Sequence, residues 1–331
     1  MPIDVSELES ELTRYATNRQ EEIRDIVYRQ GELSDAANTV MRVDGDFPLM
    51  HSVPTRTIKE FNSIWEPAGD FKFVPNILKS YHQKANIEII PADVYRSWIS
   101  FMYRERLPLE QKPISQYIMD HLAQKALQQD IAFLEYKGVY SAGTGNFGDS
   151  MDGLSKILAD GILSANSPMF RIPLDAITDA NIVEAVEKFE LMLPTKVEGL
   201  IKTIYMSKTN LKRYWKRYKE LYGDNNNFQD ADGMKSPFNK YELKGHAGLE
   251  GSDLFWCTTD ENLLKLIDEV ETPFLTDVQR FDYKLKMFFE FSLGYGFWTN
   301  QLVFVSDIGG TTRGLLNNHS LYYPETATTK L

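Results

Sequence analysis

Residues 114–137 contain neither glycine nor proline, and Pro113 and Gly138 flank them. Proline is well suited to the first position of a helix, where the missing N–H has no intrahelical partner to lose. The segment therefore predicts a helix that is roughly 36 Å long, at about 1.5 Å per residue. Gly138 is predicted to end it as a left-handed C-cap.

The predicted long helix, residues 114–137, is amphipathic and should lie on a core. Asp130 projects into its apolar arc, where a carboxylate without a donor would cost several kcal/mol, so Asp130 should have a partner. The apolar arc comprises Ile118, Met119, Leu122, Ala123, Ala126, Leu127, Phe133 and Leu134. The polar arc comprises Asp120, His121, Gln124, Lys125, Gln128 and Glu135.

The segment Gly143–Gly148 matches the G-x-G-x-x-G pattern of dinucleotide-binding loops. That motif requires a preceding strand, a following helix and an acidic residue near the end of the next strand. Here a helix end precedes the glycines, and a short helix predicted to be broken by Gly161 follows them. A flexible glycine loop is therefore favoured over a dinucleotide site.

Composition limits the classes of function. A chain of 331 residues can bury a substantial core, and we expect two lobes. Its net charge of -11 argues against a protein whose main task is to bind phosphates. The single Cys257, in an apolar segment, predicts a buried structural thiol and a reducing compartment. We expect no secretory signal and no transmembrane helix, because no apolar run approaches about 20 residues.

Catalytic and metal-binding patterns are not evident, and we predict no catalytic, cofactor-binding or metal-binding residues. Asp130 and Glu135 could form an acid pair, but a carboxylate that packs the helix through a salt bridge is the favoured interpretation. Segment 223–233 resembles a calcium loop, yet with Gly233 at position 6 it lacks carboxylates at positions 1 and 12. The histidines are scattered along the chain: His51, His82, His121, His246 and His319.

The first hundred residues predict a helix, an extended segment and several strands. Residues 5–30 predict a helix with a Ser6–Glu9 capping box, followed by an extended segment at 32–54. A two-stranded ribbon is predicted around residues 80–85, and a further strand at 98–104. The helix has a narrow apolar seam that we expect to pack on a partner or neighbouring subunit: Leu8, Leu12, Tyr15, Ile23 and Ile26.

The middle of the chain predicts a mixed helix-and-strand lobe. Thr178 is predicted to cap a helix that ends at Pro194. Residues 200–207 are predicted to form a buried strand. A second helix is predicted to begin after Ser207 and to end at Gly223. The second helix should face inward with Leu211, Tyr214, Trp215, Tyr218 and Tyr222. It should face outward with Lys212, Arg213, Lys216, Arg217 and Lys219, a solvated or subunit-facing surface being favoured over nucleic-acid contact.

The last third contains a clear strand pattern. Apolar residues alternate with polar ones from Phe281 to Phe297, and Gly294 and Gly296 are predicted to bend the strand. Residues 301–306 should pair with it. Beyond Gly310 the chain should extend over the surface or a neighbour.

The long helix with Asp130 and Gly138, the following GTGNFG loop and Met151–Leu154 resemble the major capsid proteins of tailed bacteriophages with the HK97-type fold. The resemblance is one of architecture and covers roughly residues 45–305. It implies an α+β fold in six segments. These are an N-terminal arm (1–54), an extended loop (55–92), a peripheral domain with a spine helix (93–159), an axial domain (160–275), long strands of the peripheral domain (276–307) and a tail (308–331).

The resemblance implies a non-catalytic protein that assembles with itself, as hexameric and pentameric capsomers, into an icosahedral shell enclosing double-stranded DNA without sequence-specific binding. It implies a location in the virion capsid after assembly in the host cytoplasm, with no membrane contact. It also implies portal and decoration partners and, because the arm leaves little room for a fused domain, a separate scaffolding protein. The alternatives are an encapsulin-like compartment shell and a nucleotide-binding enzyme using Gly143–Gly148.

Overall fold

The computed structural model describes residues 5–20, 28, 31–34, 36–54, 60–61, 63–65, 71–105, 113–223, 234–268 and 275–316. None of the helices in these ranges is both long and apolar enough to cross a membrane. The helices are α1 (Val5–Asn18), α2 (Pro91–Glu105), α3 (Ile114–Ile118), a π-helical turn (Met119–Ala123), α4 (Gln124–Lys137), α5 (Leu154–Leu163), α6 (Ile182–Leu191), α7 (Lys208–Tyr222), and the 3-10 turns Ala247–Leu249 and Asn300–Leu302.

Twelve strands are found within these ranges: β1 (Asn38–Val40), β2 (Asp46–Pro54), β3 (Phe71–Lys79), β4 (Tyr81–Ile89), β5 (Phe170–Leu174), β6 (Ile201–Ser207), β7 (Glu242–His246), β8 (Trp256–Thr259), β9 (Leu263–Ile267), β10 (Leu275–Phe281), β11 (Lys284–Phe297) and β12 (Val303–Ile308). They form three sheets. The first contains β1, β9, β11, β10 and β4, the second has the order β5-β12-β8-β6-β7, and β2 pairs with β3.

Strand β11 organises the first sheet because it pairs with three other strands. Its residues 285–293 pair antiparallel with β4, and its residues 284–289 pair with β10. Its last five residues pair with β9, which in turn pairs parallel with β1. This sheet therefore joins strands from both ends of the chain.

The long helix predicted at 114–137 is confirmed as α3, the π turn and α4 in direct succession. Its end differs from the prediction, because Gly138 is extended (φ -61°, ψ 142°) and not left-handed. Gly138 is needed for a different reason. A Cβ atom there would lie 2.5 Å from the carbonyl oxygen of Met151, so a side chain would separate the helix end from the segment that follows.

The buried face of the long helix also differs from the predicted apolar arc. Leu122 and Phe133 are exposed and so is Asp130, whereas Glu135 is completely buried. A π turn holds one more residue than an α turn, which rotates the following side chains by roughly 100°. The predicted places of Asp130 and Glu135 are therefore both wrong. The buried residues are Ser115, Ile118, Met119, Ala123, Leu127, Ile131, Leu134, Glu135 and Tyr136.

Helix α1 packs on its own chain. Leu8 and Leu12 are buried in the core that includes residues of β10 and β11, so the prediction that the seam packs on another subunit is wrong for these two residues. Ser6 lies inside α1 and not at its N-cap, and its Oγ accepts a hydrogen bond from Nη1 of Arg280 at 2.8 Å. The predicted helical residues 21–27, with Ile23 and Ile26, lie outside the described ranges.

The predicted ribbon is present as two strands with different partners. Strands β3 and β4 are separated only by Ser80, yet β3 pairs with β2 and β4 pairs with β11. The prediction that they pair with each other is wrong. Pro75 lies within β3, where it is tolerated because β3 is an edge strand. The predicted strand at 98–104 is also wrong, because these residues belong to α2, which begins at Pro91.

The alternating run from Phe281 to Phe297 contains a turn that its periodicity conceals. Asp282 has φ 54° and, with Tyr283, connects β10 to β11. Gly294 allows close approach to the backbone of Lys79, and Gly296 allows close approach to the side chain of Leu78. The predicted partner strand is wrong, because β12 belongs to the second sheet, between β5 and β8.

The second sheet and helices α6 and α7 enclose a separate core, which we call the second lobe. The predicted strand at 200–207 is confirmed as β6, and Cys257 is fully buried in β8. Ser207 caps α7, its Oγ accepting from the Asn210 N–H at 3.1 Å. Helix α6 begins at Ile182 after an Asn181 N-cap, later than the predicted Thr178 cap. Thr178 instead holds the turn before the helix, where its N–H donates to Oδ1 of Asn181 at 2.7 Å.

Gly161 does not break the helix that contains it. Helix α5 continues to Leu163, and a Cβ atom at position 161 would overlap the side chain of Met169. The predicted break is wrong because the glycine serves close packing between α5 and the chain that follows it.

Candidate functional site

The glycine loop 143–148 lacks the structure of a nucleotide site. Gly143, Gly145 and Gly148 all have positive φ, and the loop is largely exposed after the end of α4 rather than after a strand. The carboxylate of Asp149 accepts a hydrogen bond from the Thr144 hydroxyl at 2.8 Å. A loop organised around a carboxylate repels phosphate, so the geometry does not favour dinucleotide binding.

A cluster of buried polar residues lies where the long helix meets the first sheet. Oε1 of Glu135 accepts a hydrogen bond from the Tyr295 hydroxyl at 2.6 Å. Burial raises the pKa of Glu135, and the Tyr295 hydroxyl and the charge of Lys265 oppose that shift. Burial lowers the pKa of Lys265, whose Nζ donates to the Tyr28 carbonyl at 2.6 Å and lies 5.6 Å from the centre of the Tyr295 ring.

The next residue of the helix continues this cluster into the second lobe. The Tyr136 hydroxyl forms a hydrogen bond with Nδ1 of His246, at the end of β7. Burial is the main cause that raises the pKa of Tyr136. The ring of Tyr136 packs directly against the backbone of Gly248, where a Cβ atom would overlap it.

Glu32 binds the N-terminal segment to the 3-10 turn that follows β7 and to the start of α7. Its carboxylate accepts hydrogen bonds from the backbone N–H groups of Ala247 and Gly248, at 2.9 and 3.0 Å, and from Nζ of Lys208 at 2.8 Å. Burial alone would raise the pKa of Glu32, but these hydrogen bonds lower it overall. Five parts of the chain thus converge here, and we call this cluster the junction: Glu32, Glu135, Tyr136, His246, Lys265 and Tyr295.

The junction can hold the two lobes in one arrangement, since its polar side chains bind one another or backbone groups. Tyr136 and His246 do place a hydroxyl beside a possible base, as nucleophilic catalysis requires, but both side chains are buried, with exposures of 1% and 6%. Sequence reasoning missed the junction because Glu135 was placed on the polar arc. The position of Ile131 could have indicated the burial of Glu135. Residues four apart share a helix face, and Ile131 lies four residues from both Leu127 and Glu135.

The β2–β3 ribbon has two faces of similar composition and opposite exposure. Side chains alternate along both strands, and one face packs on the first sheet. The outward face carries large apolar side chains, with exposed fractions of 67% for Met50, 63% for Phe73 and 58% for Ile77. The inward face comprises Leu49, Val74, Asn76 and Leu78.

Helix α7 places aromatic and basic residues together, contrary to the predicted separation onto opposite faces. Trp215 and Tyr222, which were predicted to point inward, are 43% and 55% exposed. Nζ of Lys219 lies 5.5 Å from the centre of the Trp215 ring. The predictions for Tyr214, which is buried, and for the exposed Lys212 and Lys216 are confirmed.

The histidines do not come together. His82 contacts Glu290 at 2.5 Å, His121 packs beside Phe101 and Tyr117, and His319 lies outside the described ranges. Across the residues that the structure describes, no group of three or more His, Cys, Asp or Glu side chains could hold a metal ion.

Solved structures share this mixed helix-and-sheet fold. A chain in the structure of the satellite phage P4 procapsid including size determination (Sid) protein superimposes with a TM-score of 0.56 and 11% identity, over 89% of this chain and 90% of that chain. No family model and no curated protein matches the sequence. The fold is thus one that occurs in a phage procapsid.

Two other chains are less similar, each with a TM-score of 0.48. One is from the capsid of an empty GTA particle, at 10% identity over 84% of this chain and 96% of that chain. The other is from Mycobacterium phage Ogopogo, at 13% identity over 84% of this chain and 91% of that chain.

Proposed function

We propose that the protein is a major capsid protein of a tailed bacteriophage with the HK97-type fold. Copies would assemble as hexameric and pentameric capsomers into an icosahedral shell around double-stranded DNA. The observation that carries this proposal is the likeness to the P4 procapsid chain, which extends over nine-tenths of both chains.

The two cores support the expected division into domains. The first sheet with the long helix corresponds to the peripheral domain, and the second lobe corresponds to the axial domain. Strand β12, most of which falls within 276–307, pairs in the second sheet, so that segment would belong partly to the axial domain. The paired strands of the ribbon would form the base of the extended loop, which then begins before residue 55.

The outward face of the ribbon is the proposed assembly surface. Three large apolar side chains (Met50, Phe73 and Ile77) lie on one face of a two-stranded sheet whose other face is already buried. Apolar surface grouped in this way gains free energy when another protein surface covers it, about 25 cal/mol for each Å² removed from water. A neighbouring copy of the same chain would provide that cover in a closed shell.

The role would be structural and non-catalytic. In support, the side chains of the junction are engaged with one another or with backbone groups, and the glycine loop surrounds a carboxylate. The proposal includes a separate scaffolding protein, a portal and decoration proteins as partners, a location in the virion capsid and assembly in the host cytoplasm. The nucleotide-enzyme alternative has no support from the loop geometry.

The test is the size of the assembled protein. The full chain, expressed alone and examined by sedimentation velocity and electron microscopy, should form capsomer rings or megadalton shells. Replacing two ribbon residues, Met50→Ser with Ile77→Ser, should abolish these particles and leave the unfolding midpoint unchanged. The matched control is Leu163→Ser with Leu191→Ser, which replaces two exposed leucines on helices α5 and α6. This variant should assemble normally.

A small oligomer under all conditions, or normal particles from the ribbon variant, would contradict the proposal. Stabilisation of such an oligomer by NAD would instead favour the enzyme alternative, because a bound ligand raises the melting temperature.

A further inference from the structure

We infer that the exposed arc of α7 is a contact surface for the phosphate backbone of nucleic acid. At 100° per residue, Lys212, Trp215, Lys216, Lys219 and Tyr222 share about one third of the helix circumference. The helix contributes no acidic residue to this arc. The proposal rests on the proposed function only for its source of nucleic acid, the DNA that the shell would enclose.

The charge of α7 is opposite to that of the chain. The helix contains six basic residues and one acidic residue, a net charge of +5 in 15 residues, whereas the whole chain carries -11. Three of the six basic residues form ion pairs: Lys208, at the N-terminal end of the arc, binds Glu32 at 2.8 Å, and outside the arc Arg213 binds Asp179 at 2.9 Å and Arg217 binds Glu220 at 3.3 Å.

Lys212 and Lys216 are different, because neither forms an ion pair within the described part of the chain. Glu250 borders the arc and lies in the field of Lys212, but its two carboxylate oxygens accept hydrogen bonds from the N–H and hydroxyl of Thr209. The fold therefore pairs three basic residues of the helix with acids and leaves Lys212 and Lys216, on the exposed arc, without an ion pair among the described residues.

The arc suits nucleic acid better than a solvated surface or an acidic protein. Its three lysines occur within roughly 10 Å of helix. Duplex DNA carries one negative charge per about 1.7 Å of its axis, a charge density that the dispersed carboxylates of a protein surface do not reach. The exposed rings of Trp215 and Tyr222 add flat surfaces that sugars and unpaired bases can cover, which is how proteins that follow a nucleic-acid backbone combine cations with aromatics.

The binding would be local and weak, because the surrounding surface of an acidic chain repels phosphate beyond this helix. Each subunit would hold the DNA at one point, and salt would release it.

The test uses the full chain and a fluorescein-labelled 30-base-pair duplex, with binding followed by fluorescence anisotropy over a series of NaCl concentrations. The wild type should bind with an affinity that falls as salt rises. The variant Lys212→Gln with Lys216→Gln should bind at least several-fold more weakly, and its slope of log K against log salt should be smaller by about two, or roughly 0.9 per lost phosphate contact.

The matched control is Lys196→Gln with Lys235→Gln, which removes two exposed lysines from other parts of the second lobe and causes the same change in net charge. It should bind like the wild type. Equal affinities and slopes for the two double variants, or no salt-dependent binding by the wild type, would overturn the proposal.

Sedimentation of the same samples separates this proposal from the proposed function. A double variant that loses DNA binding and still forms particles supports both proposals. A double variant that fails to form particles in the absence of DNA, with unchanged DNA binding, would overturn the inference and assign the arc to contacts with an acidic surface of a neighbouring subunit.

Discussion

The junction and the ribbon treat polarity in opposite ways. The junction buries ionisable side chains such as Glu135 and Lys265, and each of them has a hydrogen-bond partner within the same chain. The ribbon exposes large apolar side chains such as Met50 and Phe73, which no described residue covers. Buried polar groups are costly unless they are paired, and exposed apolar clusters are costly unless they are covered. The contacts of the junction therefore lie within the subunit, whereas we expect the outward face of the ribbon to be covered only in an assembly.

The largest expected effect comes from removing the buried carboxylate. Glu135→Leu should lower the free energy of unfolding by about 3–5 kcal/mol, because it leaves the Lys265 charge and the Tyr295 hydroxyl without their buried partner. Asp130→Leu, which also replaces a carboxylate by leucine but on the exposed side of the helix, should change the free energy of unfolding by less than about 0.5 kcal/mol. Equal losses in urea unfolding would show that the junction is not a special part of the helix.

Two neighbouring residues of the ribbon sharpen the comparison within a single strand. Leu78→Ala should cost about 2–4 kcal/mol, because Leu78 is buried against the first sheet. Ile77→Ala should leave the stability of the unassembled subunit nearly unchanged and reduce particle yield. Urea unfolding and sedimentation measure the two effects, and a stability loss at Ile77 as large as that at Leu78 would contradict the assignment of faces.

Glycines at the two regions should also respond differently. Gly248→Ala should destabilise the subunit by about 1–3 kcal/mol, because the added Cβ overlaps the buried ring of Tyr136. Gly45→Ala, just before the ribbon, meets open space and should cost only the strain of its φ of 73°, about 1 kcal/mol. Thermal unfolding of both variants measures which substitution destabilises the subunit more. A larger loss for Gly45→Ala than for Gly248→Ala would show that the junction is loosely packed.

The smallest effect concerns pH. Because the pKa of Glu32 is lower in the folded state, its stabilisation is present above its ordinary pKa of 4.5 and is lost as pH falls through its folded value. Glu32→Gln should cost about 1 kcal/mol at pH 7, a modest amount because the carboxylate is partly exposed to solvent. The difference between wild type and variant in urea unfolding should shrink as pH falls below about 4.5. A difference that stays constant down to pH 3 would show that the charge of Glu32 contributes nothing.

Local patterns in the sequence predicted local structure well. The Ser207 cap, strand β6 and the end of α7 before Gly223 were predicted because each depends on residues within a few positions of one another. The junction could not be predicted in this way. A helical wheel assumes one period, and the π turn at 119–123 shifts that period, which exchanged the places of Asp130 and Glu135.

Strand pairing was the other part that could not be predicted. The adjacent strands β3 and β4, separated by Ser80, pair with different strands, β3 with β2 and β4 with β11. The alternating run from Phe281 to Phe297 contains a turn at Asp282 that its pattern does not indicate. Alternation reports which face of a strand is buried, but it does not report which strand lies beside it.

The position of α1 affects how the chain can be made. Arg280 binds Ser6 and Glu9, and Leu8 and Leu12 pack with strands that begin at residue 275. A ribosome makes the N-terminal residues first, so the first core cannot close until β10 and β11 have been synthesised. Until then, α1 and the ribbon are both uncovered on the nascent chain. We expect synthesis to be the stage at which this protein depends most on chaperones, since long-range closure is slow and exposed apolar surface aggregates.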